Sequence, residues 1–125
     1  MAFEEYNATV LQHFLNPRNT GELRDATAVA VLENPTCGDM VKLSLRIEDG
    51  RIVDARAKTF GCAAAIACSS ALTELLIGRT IEEADLICNE DVVRRLGGLP
   101  EHKLKCSVVA EEVTRLALRK ARNPR

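Results

Sequence analysis

The sequence is poor in aromatic residues, which make up 3% of its 125 residues, and it contains no Trp. Its hydrophobic content of 46% still suffices for a core, which must be built from Leu, Ile, Val and Ala. The formal net charge of −1 lacks the basic excess that a nucleic-acid-binding surface usually shows. No apolar stretch approaches the roughly 20 residues of a membrane-spanning helix. These absences predict a protein that acts on neither nucleic acid nor membranes.

The chain length predicts a single domain over residues 1–125, because domains commonly contain roughly 100–150 residues. The N-terminal segment carries Glu4 and Glu5 instead of the positive charges of a signal peptide, which predicts a cytoplasmic protein. The sequence also lacks a Gly-rich phosphate loop and an obvious Cys–His pair for nucleophilic catalysis. It therefore predicts a protein that is not an enzyme by itself.

Alternating apolar and polar residues predict a β-hairpin at 40–48 and 51–60, joined by the turn dipeptide Asp49-Gly50. A β-branched, apolar segment at 27–33 predicts a further strand. The inward-facing residues expected on the hairpin are Val41, Leu43, Leu45, Ile47, Val53, Ala55 and Ala57. The segments together predict a three-stranded antiparallel sheet with one apolar face.

Helical periodicity is found in the segments 3–15, 62–77, 90–96 and 107–121. Phe3 begins the apolar face of the first helix. Thr80 and Asn89 are expected as N-caps of short helices, with Glu83 completing a capping box. Residues 99–105 are expected to form a loop. The resulting fold class is α+β, with helices packed on one face of the sheet.

Five cysteines are an odd number, so they cannot all pair in disulfides within one chain. Cys37 and Asp39 flank Gly38 in a turn. Cys62 and Cys106 each stand directly before a predicted helix, where unpaired backbone N–H groups should lower the thiol pKa from about 8.5. Three thiols and a carboxylate from three segments predict a four-coordinate metal site.

The remaining cysteines and histidines have other expected roles. Cys68 lies within an alanine-rich helix and is expected in the core, and Cys88 is expected to be a small, half-buried residue. His13 is interpreted as a surface or packing residue. His102, four residues before Cys106, is a weaker ligand candidate, and its neighbours Lys103 and Lys105 are expected to be solvated.

Three thiolates and a carboxylate suit either Zn²⁺ or an iron–sulfur cluster. Stable electron-transfer clusters are usually held by four cysteines. A carboxylate in place of one thiolate should weaken the hold, which is useful for a protein that must give its cluster away. The residues alone leave zinc and a labile [2Fe–2S] cluster equally possible.

Three motifs in this order resemble those of the iron–sulfur cluster assembly scaffolds of the IscU type, also found as the N-terminal domain of NifU. They are Asn-Pro-Thr-Cys-Gly-Asp at 34–39, Lys-Thr-Phe-Gly-Cys-Ala at 58–63 and Lys-Cys-Ser at 105–107. The resemblance implies an IscU/SufE-like α+β fold. It also implies a non-catalytic scaffold that assembles a [2Fe–2S] cluster and transfers it to apo iron–sulfur proteins.

The resemblance assigns a transient cluster to Cys37, Cys62 and Cys106, with Asp39 as the ligand that makes it labile. Zn²⁺ is the alternative occupant of the same site. Sulfur is then delivered as persulfide by a PLP-dependent cysteine desulfurase of the IscS/NifS type, and Cys106 is the expected acceptor. Iron and electrons come from other partners.

The sequence departs from the family pattern in two places. Lys105 stands where IscU-type scaffolds usually have His, as in the SufU branch, whose members hold zinc and accept sulfur. The alternative function is therefore a zinc-bound, SufU-like sulfur acceptor that stimulates the desulfurase, although the insertion typical of SufU between the second and third cysteines is missing. The segment 99–103 only partly matches the motif through which bacterial IscU proteins bind a dedicated Hsp70-type chaperone.

Overall fold

The computed structural model of the protein describes residues 5–34 and 38–123. Strands β1 (Ala28–Asn34), β2 (Asp39–Glu48) and β3 (Arg51–Phe60) form an antiparallel sheet in the order β1-β2-β3. The hairpin turn has positive φ at both central residues, 52° at Asp49 and 74° at Gly50, as a type I′ turn requires. The predicted three-stranded antiparallel sheet is confirmed.

A β-bulge in β3 makes one inward prediction wrong. The register pairs Arg46 with Asp54 but Ile47 with Ile52, so β3 carries one extra residue at Val53. This slip turns Ile52 into the core with no exposure and leaves Val53 37% exposed. The predicted alternation of inward and outward side chains assumed an uninterrupted strand, so it could not show that the bulge reverses the orientation at positions 52 and 53.

The helices are α1 (Ala8–Leu15), α2 (Ala63–Leu76), α3 (Ile81–Ala84), α4 (Asn89–Arg95) and α5 (Leu104–Arg122), with a 3-10 turn at Glu101–Lys103 before α5. Helix α1 begins later than predicted because the Asn7 side chain caps it, accepting a hydrogen bond from the Val10 N–H at 2.8 Å. Phe3, expected on its apolar face, lies outside the described residues.

The cap predictions have mixed outcomes. Thr80 and Glu83 form the predicted capping box of α3. The prediction for Asn89 is wrong, because Cys88 is the N-cap of α4 and its N–H donates to the Asp91 carboxylate at 2.9 Å.

The N-terminus of α5 also differs from the prediction. The expected loop at 99–105 contains the 3-10 turn and the first two residues of α5. As a result, Cys106 is the third residue of α5 and does not precede the helix. It therefore lies in the first helical turn.

The core lies between the sheet and the helices. Helix α5 covers β1 and β2, α2 packs against β3, and α1 packs against α2. The largest side chains with no exposure in this layer are aliphatic, as the composition predicts, and include Leu43, Leu45, Leu72, Leu76 and Leu118. The α+β class with helices on one face is confirmed. None of the helices in the described ranges has the length and apolar character that a bilayer crossing requires.

Candidate metal centre

Three of the four predicted ligands meet at one end of the sheet. Asp39 begins β2, and Cys62 is the N-cap of α2 just beyond the end of β3. The strand register pairs Met40 with Phe60, which brings the start of β2 beside the segment leading into α2. Helix α5 lies over β1 and β2 and adds Cys106 from its first turn. The sheet and two helix starts thus assemble the site.

The ligand atoms of Asp39, Cys62 and Cys106 all lie within 4.8 Å of one another. The two Sγ atoms are 3.8 Å apart, and the Cys62 Sγ is 3.8 Å from the Asp39 Oδ2. Two thiolates bound at about 2.3 Å to one tetrahedral Zn²⁺ are separated by about 3.8 Å. The donor set and its spacing therefore fit a metal ion.

Cys62 and Cys106 are neighbouring acids that share one proton, and this sharing shifts the pKa values of both thiols. A hydrogen bond from the Cys106 thiol is the main reason that the pKa of Cys62 falls to about 6, while burial and the Asp39 carboxylate oppose the fall. The pKa of Cys106 is raised, first by its hydrogen bond to Cys62 and then by burial. A cation among the three groups would relieve this repulsion and favour deprotonation of both thiols.

The predicted direction of the pKa shift is confirmed for Cys62, although its main cause is the hydrogen bond from Cys106 and the backbone hydrogen bond from Ala65 at the helix N-terminus contributes less. For Cys106 the prediction is wrong, because this thiol is the proton donor of the pair and is only 4% exposed. Without a metal, the half-exposed Cys62 is the thiol more ready to ionise.

The fourth predicted ligand, Cys37, lies outside the described residues. Its role as a ligand stays a prediction. Gly38 follows it with a φ of 73°, in the left-handed region where Gly is favoured, and leads into the buried Asp39. The turn predicted between Cys37 and Asp39 is therefore present at Gly38.

The remaining cysteines and histidines lie in the environments that the sequence predicted for them. Cys68 is 1% exposed, and burial raises the pKa of its thiol to about 12, so it is a core residue. Cys88 is half-buried beside α4. His13 is buried, with its Nδ1 2.7 Å from the Ser70 Oγ. His102 is mostly exposed and lies 3.2 Å from the Glu5 carboxylate, so it is not part of the Asp39–Cys62–Cys106 cluster.

Sequence reasoning missed two residues near the thiols. Attraction to the Cys62 thiolate is the main cause that raises the pKa of Lys103, which was expected to be a solvated charge. The pKa of the buried Tyr6 is raised by burial, and the charges of Cys62 and Cys106 add to the shift. The sequence holds one signal for Lys103, which is that it precedes Cys106 by three residues, or about one helical turn. That signal is useful only if α5 is known to begin before Cys106.

The fold and site define a small α+β protein with a cluster of two thiols and a carboxylate that could hold a metal ion, and the comparisons with known proteins show its family. The chain belongs to the family of the NifU-like N terminal domain, whose family model matches residues 5–124. It is 47% identical over 113 residues to the iron–sulfur cluster assembly scaffold protein IscU 1 of Archaeoglobus fulgidus, covering 90% of this chain and 74% of that protein. The corresponding IscU protein of Aquifex aeolicus is 45% identical over 121 residues, covering 95% of this chain and 76% of its own.

Solved structures show the same fold. The N-terminal part of a nitrogen-fixing NifU-like protein from Brucella abortus has a TM-score of 0.64 at 26% identity, covering 95% of this chain and 84% of that one. A candidate SUF-system scaffold, SufU, from Fervidobacterium islandicum has a TM-score of 0.76 at 22% identity, covering 94% of this chain and 99% of that one. The second likeness concerns the fold alone.

Proposed function

We propose that this protein is a scaffold on which an iron–sulfur cluster is built and from which the cluster passes to apo-proteins. The observation that carries the proposal is the convergence of Asp39, Cys62 and Cys106 within 4.8 Å at the start of two helices and a strand. Its membership of a family that includes named assembly scaffolds supports the same function.

The cluster proposed is [2Fe–2S], held by Cys37, Asp39, Cys62 and Cys106. Cys37 precedes Asp39 by two residues, and two extended residues span at most about 7 Å, so its thiol is within reach of the other ligands. Four ligands would supply two for each iron. The carboxylate is a harder ligand than thiolate, which favours release of the cluster.

The sulfur source proposed is a PLP-dependent cysteine desulfurase that carries a persulfide. The thiolate of Cys106 attacks the terminal sulfur, forming a new S–S bond on Cys106 and releasing the thiolate of the desulfurase. Because Cys62 is the thiol that ionises first, its thiolate acts as the base and takes up the proton of Cys106 as the attack proceeds, across the 3.8 Å between the two Sγ atoms. An electron donor then supplies two electrons for each persulfide sulfur that becomes sulfide, and an iron donor supplies the metal.

The test is an anaerobic reconstitution with ferrous iron, cysteine and a cysteine desulfurase, followed by visible absorption and transfer to an apo-ferredoxin. We expect a cluster on the wild type, none on Cys106→Ser, and a normal cluster on the matched core variant Cys68→Ser. Mass spectrometry without iron should find the persulfide on Cys106. A persulfide on Cys62 would show that the acceptor is misassigned, and a wild type that forms no transferable cluster would refute the scaffold function.

The second candidate is a zinc-bound sulfur acceptor that stimulates the desulfurase. The 3.8 Å separation of the Cys62 and Cys106 Sγ atoms is compatible with it, because this is the spacing expected on one tetrahedral zinc. Lys105 in the third motif, as in the SufU branch, points the same way. If the protein holds only zinc and accelerates the desulfurase without forming a cluster, this second function is correct.

We also infer that residues 1–125 act as one domain in the cytoplasm. The sheet and helices share one core through the described residues. A cytoplasmic location would keep the ligand thiols reduced. We further infer that the protein is non-catalytic and depends on a desulfurase. The reconstitution tests these proposals, and the use of an Hsp70-type chaperone, when it is run with the protein alone, then with the desulfurase, and then with the chaperone added.

A further inference from the structure

Gly61 lies between the end of β3 and Cys62, with its backbone against the side chain of Asp39. A Cβ atom added to Gly61 would lie 2.7 Å from the Asp39 Cγ and 3.1 Å from the Asp39 Cβ. The first distance is shorter than real Cβ contacts, so a side chain at position 61 would displace the carboxylate. The Asp39 carboxylate therefore has room at this position because glycine has no side chain.

The backbone conformation of Gly61 does not itself require glycine. The other six glycines of the chain all have positive φ, and Gly61 does not. An alanine at position 61 could therefore keep the same backbone without the strain of a left-handed conformation. Among residues 5–34 and 38–123, the atoms that an added Cβ at position 61 would meet first belong to the Asp39 side chain, so what this position requires is room for Asp39.

Asp39 cannot give way without leaving the site. It is 5% exposed at the start of β2, where the pairing of Met40 with Phe60 fixes its backbone. Its Oδ1 accepts a hydrogen bond from the Cys62 N–H at 3.3 Å, and its Oδ2 lies 3.8 Å from the Cys62 Sγ. A methyl group on Gly61 would push the carboxylate away from both contacts.

We propose that Gly61 is a positioning residue that holds the Asp39 carboxylate among the thiols and so determines whether Asp39 serves as a metal ligand. This inference rests on the proposed function, since it assumes a metal bound at this site. It predicts that Gly61→Ala has the same effect on metal coordination as removal of the carboxylate itself.

The test uses Co²⁺ alone as the probe, titrated anaerobically into the wild type, Gly61→Ala, Asp39→Ala and the double variant. The visible ligand-field bands report the whole ligand set, and the near-ultraviolet thiolate-to-metal band reports the cysteines. We expect Gly61→Ala to keep the thiolate band, to take on the visible spectrum of Asp39→Ala and to bind Co²⁺ about 10- to 100-fold more weakly, as is typical when a ligand loses its support. In the Asp39→Ala background, Gly61→Ala should change nothing further.

The matched control is Gly78→Ala, at the opposite end of β3, where an added Cβ meets no atom within 4 Å but the φ is 95°. It should lower the thermal midpoint and leave the cobalt spectrum unchanged. If Gly61→Ala fails to fold, the double variant should fold, because alanine at position 39 removes the carboxyl atoms that make the shortest contacts and leaves only the 3.1 Å contact with the Cβ of residue 39. A Gly61→Ala spectrum and affinity equal to those of the wild type would overturn the proposal. A wild type without any cobalt spectrum would overturn the metal-binding function together with it.

Discussion

At the scale of single residues, the backbone holds together acidic groups that repel one another when they are ionised, namely the Asp39 carboxylate and the thiols of Cys62 and Cys106. Asp39 is buried although its side chain contacts a thiol whose pKa is lowered. Burial of acidic groups side by side destabilises a protein unless a cation or a proton compensates. The proton shared by Cys62 and Cys106 offers one compensation, and a bound metal ion offers a stronger one.

Asp39 should control how long a cluster stays on the protein. Asp39→Ala removes the ligand through which the cluster exchanges, together with one negative charge. Equilibrium binding of a single Co²⁺ ion should weaken, but the release of a reconstituted cluster loses its route through the exchangeable carboxylate, so we expect the cluster to decay and to transfer to apo-ferredoxin more slowly. The measurement is the decay of visible absorption after addition of a chelator. Asp25→Ala, which removes a largely exposed carboxylate that pairs with Arg46, is the matched control and should behave as the wild type. A decay that is unchanged or faster in Asp39→Ala would contradict the lability argument.

The sequence predicted which thiols belong to the site better than it predicted their protonation. Cys68 could be assigned to the core because its neighbours in an alanine-rich helix are apolar. The pKa of Cys106 could not be predicted, because it depends on a hydrogen bond to Cys62, 44 residues away in the chain. The clearance that Gly61 gives to Asp39 could not be predicted either, since it exists only once β2 and β3 are paired in register.

At the scale of secondary structure elements, the capping box of α3 permits a clean test. The Thr80 hydroxyl accepts a hydrogen bond from the Glu83 N–H at 3.1 Å, and the Glu83 carboxylate accepts one from the Thr80 N–H at 2.9 Å. Thr80→Ala removes the first of these bonds, so we expect the free energy of unfolding to fall by about 1 kcal/mol.

Urea unfolding at neutral pH provides the measurement for Thr80→Ala. Thr9→Ala is the matched control, because Thr9 is an exposed residue within α1. The control should change the free energy of unfolding by no more than about 0.5 kcal/mol, as is usual for surface substitutions. Equal effects of the two substitutions would show that the box contributes nothing measurable.

The sequence predicted the elements whose signals lie in consecutive residues. It did not predict the features that depend on contacts with residues distant in the chain. Alternation and the Asp49-Gly50 turn predicted the hairpin because both signals lie in the chain itself. The bulge at Val53 has no such signal, since its effect is seen only in the register against β2. Cys88 is an N-cap because Asp91 accepts a hydrogen bond from its N–H, although Asn89 is by composition the better capping residue.

At the scale of the whole molecule, one carboxylate joins three parts of the helical layer. Glu74 of α2 lies 3.6 Å from the His13 Nε2 in α1, 3.9 Å from the Arg18 Nε and 3.2 Å from the Arg95 Nε in α4. The Ser70 hydroxyl, one turn earlier in α2, contacts the other ring nitrogen of His13 and accepts a hydrogen bond from the Arg18 N–H at 2.8 Å. These contacts link the packing of α1 on α2 to the charge state of His13.

Acidification should therefore destabilise the fold through His13. Burial is the main cause that lowers the pKa of His13 in the folded protein, and Glu74 opposes it. In the unfolded chain the pKa of histidine is about 6.5, so below that pH the unfolded chain binds more protons than the folded one. The contribution of His13 to the free energy of unfolding is thus constant at higher pH and decreases as the pH falls through about 6.5 toward the lower folded value.

The measurement is urea unfolding of the wild type and His13→Gln between pH 7.5 and 5.5. Glutamine can still contact Ser70 but does not titrate, so we expect the stability of His13→Gln to decrease less over this range than that of the wild type. His102→Gln is the matched control, because His102 is mostly exposed, and its pH dependence should follow the wild type. If His13→Gln and the wild type lose stability in parallel, the pH dependence has its origin in other groups, and α1 does not respond to the protonation of His13.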